Sequence, residues 1–376
     1  MARRESKMIL GLLGAMTVVF VVLALAATNV INLPGHLKES LGLASETPNP
    51  PCHHGMYRKD PKSPPAPAGH WRHEPRSPRA QVEGSAVAIG PIIYTTNGSA
   101  PADLRTVLAY DTRSHRWSEP TRTPTGLNHS EAATYHGDLY LVGGYLNGEE
   151  PTNNFWQYDP RTKQWTELPP MHQPRAAGGT VVIGDKLYNA GGAPQTFGVS
   201  SPVSPYGTLE IYDFKTKTWS FGPDMPDPRH HVASAQLGGK MYVAGGRDIT
   251  DHSSNEFDRY DPGTEEWERL PHLPLGAATM GMVAAAGKIV IAGGEDQVNW
   301  ENGGGWVTPT AWAFDPAKNA WQRLPDMSME RRAHGLAVTG GRIYALMGSY
   351  CPGIKPNGPV GTHTVESLPV SALNRD

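Results

Sequence analysis

One phrase recurs along this chain and limits what it can fold into. "AYDTRSHRWSEP" begins at Ala109, "QYDPRTKQWTELP" at Gln157, "IYDFKTKTWSFGP" at Ile211, "RYDPGTEEWERLP" at Arg259 and "AFDPAKNAWQRLP" at Ala313. With Trp71 upstream, the phased tryptophans are Trp71, Trp117, Trp165, Trp219, Trp267 and Trp321, spaced 46 to 54 residues apart. A unit of that size cannot bury its own apolar faces, so it folds by stacking on copies of itself. A second marker keeps the same phase. "LYLVGG", "LYNAGG", "MYVAGG" and "IVIAGG" end in glycine pairs at Gly144, Gly192, Gly246 and Gly294, with "IYTTNG" and "IYALMG" as degenerate copies.

Each unit reads as four strands. An inner strand such as "VASAQL" turns through "GGK" into "MYVAGG"; a variable loop leads to a third strand, and "DPGTEE" turns into a fourth that carries Trp267. Asp261 can accept from its own turn amides, and Pro262 pre-sets the turn dihedral. The glycines suit a crowded place where a Cβ would meet a neighbouring backbone. Tryptophan and tyrosine supply the apolar area by which one unit packs on the next. The 42 Gly and 35 Pro, against 18% charged residues, fit a turn-rich all-β chain.

These four glycine pairs and six phased tryptophans resemble the kelch-repeat family, and the resemblance runs from Trp71 to Pro369. It implies an all-β fold, a six-bladed kelch β-propeller. "HWRHEPRSPRA" has the phrasing of a fourth strand with no first three before it, and "GLAVTGGRIYALMGSY" with "THTVESLPV" supplies three strands with no fourth after them. Residues 71–376 are therefore expected to form a propeller whose last blade is completed by the strand around Trp71, so that no seam stays open.

Two segments precede it. In residues 1–33, Met8 to Ala27 carries no charge and is about long enough to cross a bilayer core. Arg3, Arg4 and Lys7 before it predict a cytoplasmic N-terminus, a single-pass anchor and an extracytoplasmic propeller. "ALAA" at Ala24 to Ala27 leaves a cleaved signal peptide, and a secreted body, as the alternative. Residues 34–70 read as a proline-rich tether. The two cysteines, Cys52 and Cys351, are expected to form one disulfide in an oxidising compartment.

The blade-to-blade segments bring Arg79, Arg175, Arg229, Arg331 and Arg332 towards one channel mouth, with His129, Glu131, His231 and His334. Converging guanidinium groups suit carboxylates and sugar acids. Aromatic residues of the long loops, Phe197, Tyr206, Trp300 and Trp306, could add a binding platform. The expected partner is a protein, or a carbohydrate or acidic small molecule. With a net charge of −3, nucleic acid is not expected. No cofactor or metal is expected, since adjacent strand residues such as His230 and His231 face opposite ways. The resemblance also carries enzymatic possibilities. Some kelch propellers are galactose-oxidase-type copper-radical enzymes, whose cysteine–tyrosine pattern this chain does not match. Others are exported sugar-acid mutarotases of the sialic-acid type, for which Arg229, Glu131 and His231 are the candidate residues. A ligand- or protein-binding role at the mouth face is the leading expectation, and a mutarotase the alternative.

Overall fold

Six four-stranded antiparallel sheets follow one another along the chain. The computed structural model describes residues 64–96, 98, 104–148, 150–195, 204–296, 306–350 and 361–374. Blade 1 is built from Ser85–Ile89, Ile92–Thr96, Thr106–Asp111 and Arg116–Arg122. Blade 2 uses Glu131–Tyr135, Asp138–Val142, Phe155–Asp159 and Gln164–Leu168. Blade 3 uses Gly179–Ile183, Lys186–Ala190, Leu209–Asp213 and Thr218–Gly222. Blade 4 uses Ala233–Leu237, Lys240–Ala244, Phe257–Asp261 and Glu266–Arg269. Blade 5 uses Gly281–Ala285, Lys288–Ala292, Ala311–Asp315 and Ala320–Leu324. Blade 6 takes Gly335–Thr339, Arg342–Leu346 and Val365–Pro369 from one end of the chain and Arg72–His73 from the other. Arg72 pairs with Ser367 and His73 with Glu366. The first strands of successive blades lie side by side, and that of blade 6 returns to that of blade 1, so the fold is a closed β-propeller.

The apolar runs become the second strands because each sheet is covered on both faces by its neighbours. Leu139, Leu141, Met241, Val243, Ile289 and Val290 are buried. The outer hairpins explain why the phrase must repeat. Trp219 donates its indole N–H to the carbonyl of Pro169 at 2.7 Å, Trp267 to Pro223 at 2.9 Å, and Trp321 to Pro271 at 3.2 Å. Trp71 reaches Pro325 and Trp117 reaches Pro75, both at 3.0 Å. In each case the acceptor sits four residues beyond the tryptophan of the preceding blade. Trp165 keeps the geometry with Thr121 Oγ1 as acceptor, where the blade 1 pairing carries a register shift. One tryptophan hydrogen bond is worth about 1 kcal/mol, and the ring holds six.

The turn reading is borne out in detail. Asp261 Oδ1 accepts from the Gly263 amide at 2.9 Å, and Asp111, Asp159, Asp213 and Asp315 cap their own turns in the same way. Gly191, at φ +71°, shows why the pairs are glycine: a Cβ there would lie 2.5 Å from the Arg229 carbonyl. That carbonyl accepts the N–H of Gly192.

The expected N-terminal membrane helix falls outside the described residues, as do Cys52 and Cys351. Among the described residues no helix is long and apolar enough to cross a membrane.

Candidate functional site

Antiparallel order puts the first-to-second and third-to-fourth turns on one face of the ring. The long second-to-third loops and the blade-to-blade connections share the other, the mouth face. One residue in each connection, Glu83, His129, Ala177, His231, Thr279 and Ala333, has φ between 48° and 65°. These residues form a circle of backbone hydrogen bonds, each N–H donating to the equivalent carbonyl of the preceding blade. His129 donates to Glu83, Ala177 to His129, His231 to Ala177, Thr279 to His231, Ala333 to Thr279, and Glu83 to Ala333, at 2.7 to 3.1 Å. Left-handed backbone costs a non-glycine residue about 1 kcal/mol or more, and the closed circle holds all six there.

Inside this circle lies a cavity of ≈ 150 Å³, reached by Glu131, His129, His231 and His334 and by the hydroxyl residues Ser130, Thr180 and Ser234. Glu131 keeps a partial opening to the channel, but its depth within the ring pushes its carboxyl up to about 8, against an opposing hydrogen bond from Ser85. It is therefore mostly protonated at neutral pH. Burial, then Arg331, holds His334 well below the usual imidazole value. Neither of its ring nitrogens has a hydrogen-bond partner among the described residues. Burial also holds His129 and His231 down, with Arg247 the next contribution at His231.

The arginines behave differently from the expectation that they converge on the mouth. Arg175 is buried; its Nη2 lies 2.8 Å from Glu210 Oε1, and its Nη1 donates to the carbonyls of Gly191 and Thr208. Arg229 pairs with Asp258 at 2.5 Å, and Arg331 with Glu366. Each acid lies on the third strand of the blade that its arginine introduces, so these guanidinium groups turn into the blades. None of the three lines the cavity. Arg79 is half-exposed and pairs with Glu119 at 3.1 Å, also away from the cavity. Sequence reasoning missed the partners, although a signal exists. Where the arginine position holds Leu127 or Ala277, the third-strand position holds Trp156 or Trp312 in place of an acid.

Arg332 belongs to a buried ionic lattice at the mouth that the sequence reading also missed. Its Nη1 lies 3.2 Å from Glu83 Oε1 and its Nε 3.2 Å from Glu295 Oε2. Arg247 Nη2 reaches Glu295 Oε1 at 2.7 Å, and His129 Nε2 stands 3.6 Å from Glu83 Oε2. Arg247 and Glu295 each follow a glycine pair directly, so extending that alignment by one residue would have exposed them. His230 and His231 do not diverge as strand neighbours would. The left-handed backbone of His231 breaks the alternation and brings the two Nδ1 atoms to 2.5 Å. Among the described residues no group of three potential ligands is placed to hold a metal.

Of the loop aromatics, Trp306 is not a surface platform. It is buried with Leu273, Met280 and Trp312, because Trp306–Val307 pairs with Glu295–Asp296. Tyr206 lies under Arg175, whose guanidinium carbon is 4.9 Å from the ring centroid. Phe197 and Trp300 lie outside the described residues.

The Attractin/LZTR1 β-propeller family model matches residues 92–350. The chain belongs to that family. Its propeller is of the kelch type. Similar proteins include Kelch-like protein terF of Aspergillus terreus, 30% identical over 182 residues, covering 44% of this chain and 39% of that protein. Kelch-like protein 36 of Mus musculus is 28% identical over 253 residues, covering 63% and 38% respectively. Kelch-like protein 40 of Xenopus tropicalis is 29% identical over 154 residues, covering 41% and 24%. The chain thus spans well under half the length of these relatives. Among solved structures, "Structure of YjhT" aligns with a TM-score of 0.65 at 18% identity, covering 78% of this chain and 96% of that one. That likeness concerns the fold alone.

Proposed function

We propose that this propeller is a binding module that engages a protein, or a carbohydrate or acidic ligand, across its mouth face. In the same proposal, residues 1–33 hold it as a single-pass anchor with the propeller outside the cytoplasm. The observation that carries the binding reading is the size of the central cavity. At ≈ 150 Å³ it is smaller than the several hundred Å³ that a small-molecule pocket needs. Recognition then falls to the loops above it, on a scaffold fixed by the six-bond circle. Kinship with Kelch-like proteins supports a protein partner.

A second reading has one observation in its favour. Glu131, protonated at neutral pH, and His231, held neutral, share one cavity, and a mutarotase needs such an acid and base at the anomeric centre. Against it, the arginines that would hold a sugar carboxylate are paired inside the blades.

Ile249, exposed in the blade 4 mouth loop, provides the test. Full-length protein screened against immobilised glycans, acidic sugars and candidate proteins should retain a partner that Ile249→Asp weakens at unchanged melting temperature. Accelerated anomer exchange of a sugar acid, lost in Glu131→Gln, would replace the binding module with the enzyme. Carbonate washing of membranes and the mature N-terminal mass test the anchor.

A further inference from the structure

The face opposite the mouth carries a groove of ≈ 460 Å³ between blades 6 and 1. Its charge follows from the way the ring closes. Blades 3, 4 and 5 open their second strands with Lys186, Lys240 and Lys288 and end their third strands with Asp213, Asp261 and Asp315. Lys186 stands opposite Asp213 in register, Lys240 Nζ pairs with Asp261, and Lys288 Nζ lies 3.8 Å from Asp315. Blade 6 keeps the cation as Arg342 but sets Pro369 opposite it. The missing aspartate belongs to the turn joining third and fourth strands, where its carboxylate holds the turn amides. Blade 6 has no such turn, because its fourth strand, Arg72–His73, arrives from the other end of the chain. Closure therefore removes a negative charge at this seam.

Arg342 donates instead to neutral acceptors, the Ser367 hydroxyl at 2.8 Å and carbonyl at 3.0 Å. Arg113, from the outer turn of blade 1, lines the same groove and has no ion pair among the described residues. The nearby carboxylates are committed elsewhere. Glu74 accepts from Arg72 at 2.6 Å, from Ser367 at 2.5 Å and from Tyr110 at 3.2 Å, and Asp111 holds the amides of Arg113 and Ser114. The hydroxyl residues Thr112 and Thr339 also border the groove. Arg342 and Arg113 make no ion pair among the described residues, the Asp111 carboxylate near Arg113 being bound to its own turn amides, and two such guanidinium groups in a groove of small-ligand size are suited to a planar or tetrahedral oxyanion.

We propose that this groove binds the phosphate, sulfate or carboxylate group of a small ligand, with Arg342 and Arg113 as its donors. Calorimetric titration of the full-length protein with inorganic phosphate, sulfate and acetate tests it. At least one should bind saturably, tighter phosphate or sulfate indicating a tetrahedral group and tighter acetate a carboxylate. Arg342→Gln should weaken binding about tenfold or more. Pro369→Asp, which leaves both arginines in place and rebuilds the acid of the other blades, should do the same. Arg113→Gln, in an exposed turn, serves as a second variant should Arg342→Gln lower the melting temperature. Absence of saturable binding by all three ions, or equal affinity in Pro369→Asp and Arg113→Gln, overturns the proposal.

Discussion

Arg175→Ala should damage the fold far more than any ligand interaction. The change removes a buried guanidinium 2.8 Å from Glu210, two bonds to the carbonyls of Gly191 and Thr208, and the stack on Tyr206. Breaking a buried ion pair from one side costs about 3–5 kcal/mol. Glu210 keeps the backbone amides of His172 at 2.8 Å and Gln173 at 3.1 Å, which places the cost near the low end, about 3 kcal/mol. For a propeller of this size that is a fall in melting temperature of roughly 5 °C. Urea and thermal unfolding of wild type, Arg175→Ala, Glu210→Ala and the double variant would read it. The double variant should be less destabilised than the sum of the singles, with a coupling of about 0.5–3 kcal/mol. An unchanged melting temperature in Arg175→Ala, together with loss of an acidic ligand, would refute the argument and return this arginine to the mouth.

Further outcomes follow from the same physics. Glu131 sits at about 8 in the fold against its usual 4.5, so folding retains a proton that the unfolded chain releases. Its contribution is fully present below about 4.5, declines as pH rises, and is lost above about 8. The buried neutral histidines slope the opposite way in acid, so the measurement is the stability difference between Glu131→Gln and wild type from pH 5 to 9, which should shift in favour of the variant up to about pH 8 and then level off. Trp219→Phe removes the indole N–H bound to Pro169 and should cost about 1–2 kcal/mol in urea unfolding. A neutral result would mean that the inter-blade bond contributes nothing. Trp71→Ala empties a core shared with Leu324, Leu368 and Leu373 and should cost about 3–5 kcal/mol, checked by thermal unfolding and by limited proteolysis at the blade 6 seam.

The blades themselves were legible in one dimension because their causes are local or strictly periodic. Trp267 and Pro271 stand in one short phrase, and Asp261 caps its own turn, so spacing alone located the hairpins. The glycine pairs marked a close approach before the approaching carbonyl was known. What the arginines do was decided only in three dimensions. Arg175 and Glu210, or Arg331 and Glu366, lie some 35 residues apart, and only the third strand folding beside the blade's entry turns a mouth-side arginine inward. Trp306 went into the core for the same kind of reason, a local pairing with Asp296 that outweighed the loop's polar composition. The histidines His230 and His231 were misjudged because strand alternation fails at a left-handed residue, and the sequence has no glycine there to announce one. Periodicity determined how many units must stack and which faces they bury. The tertiary structure alone decided which charges are spent inside the blades and which remain for a ligand, because an ion pair depends on distance and burial, and neither is written in the spacing of residues along the chain.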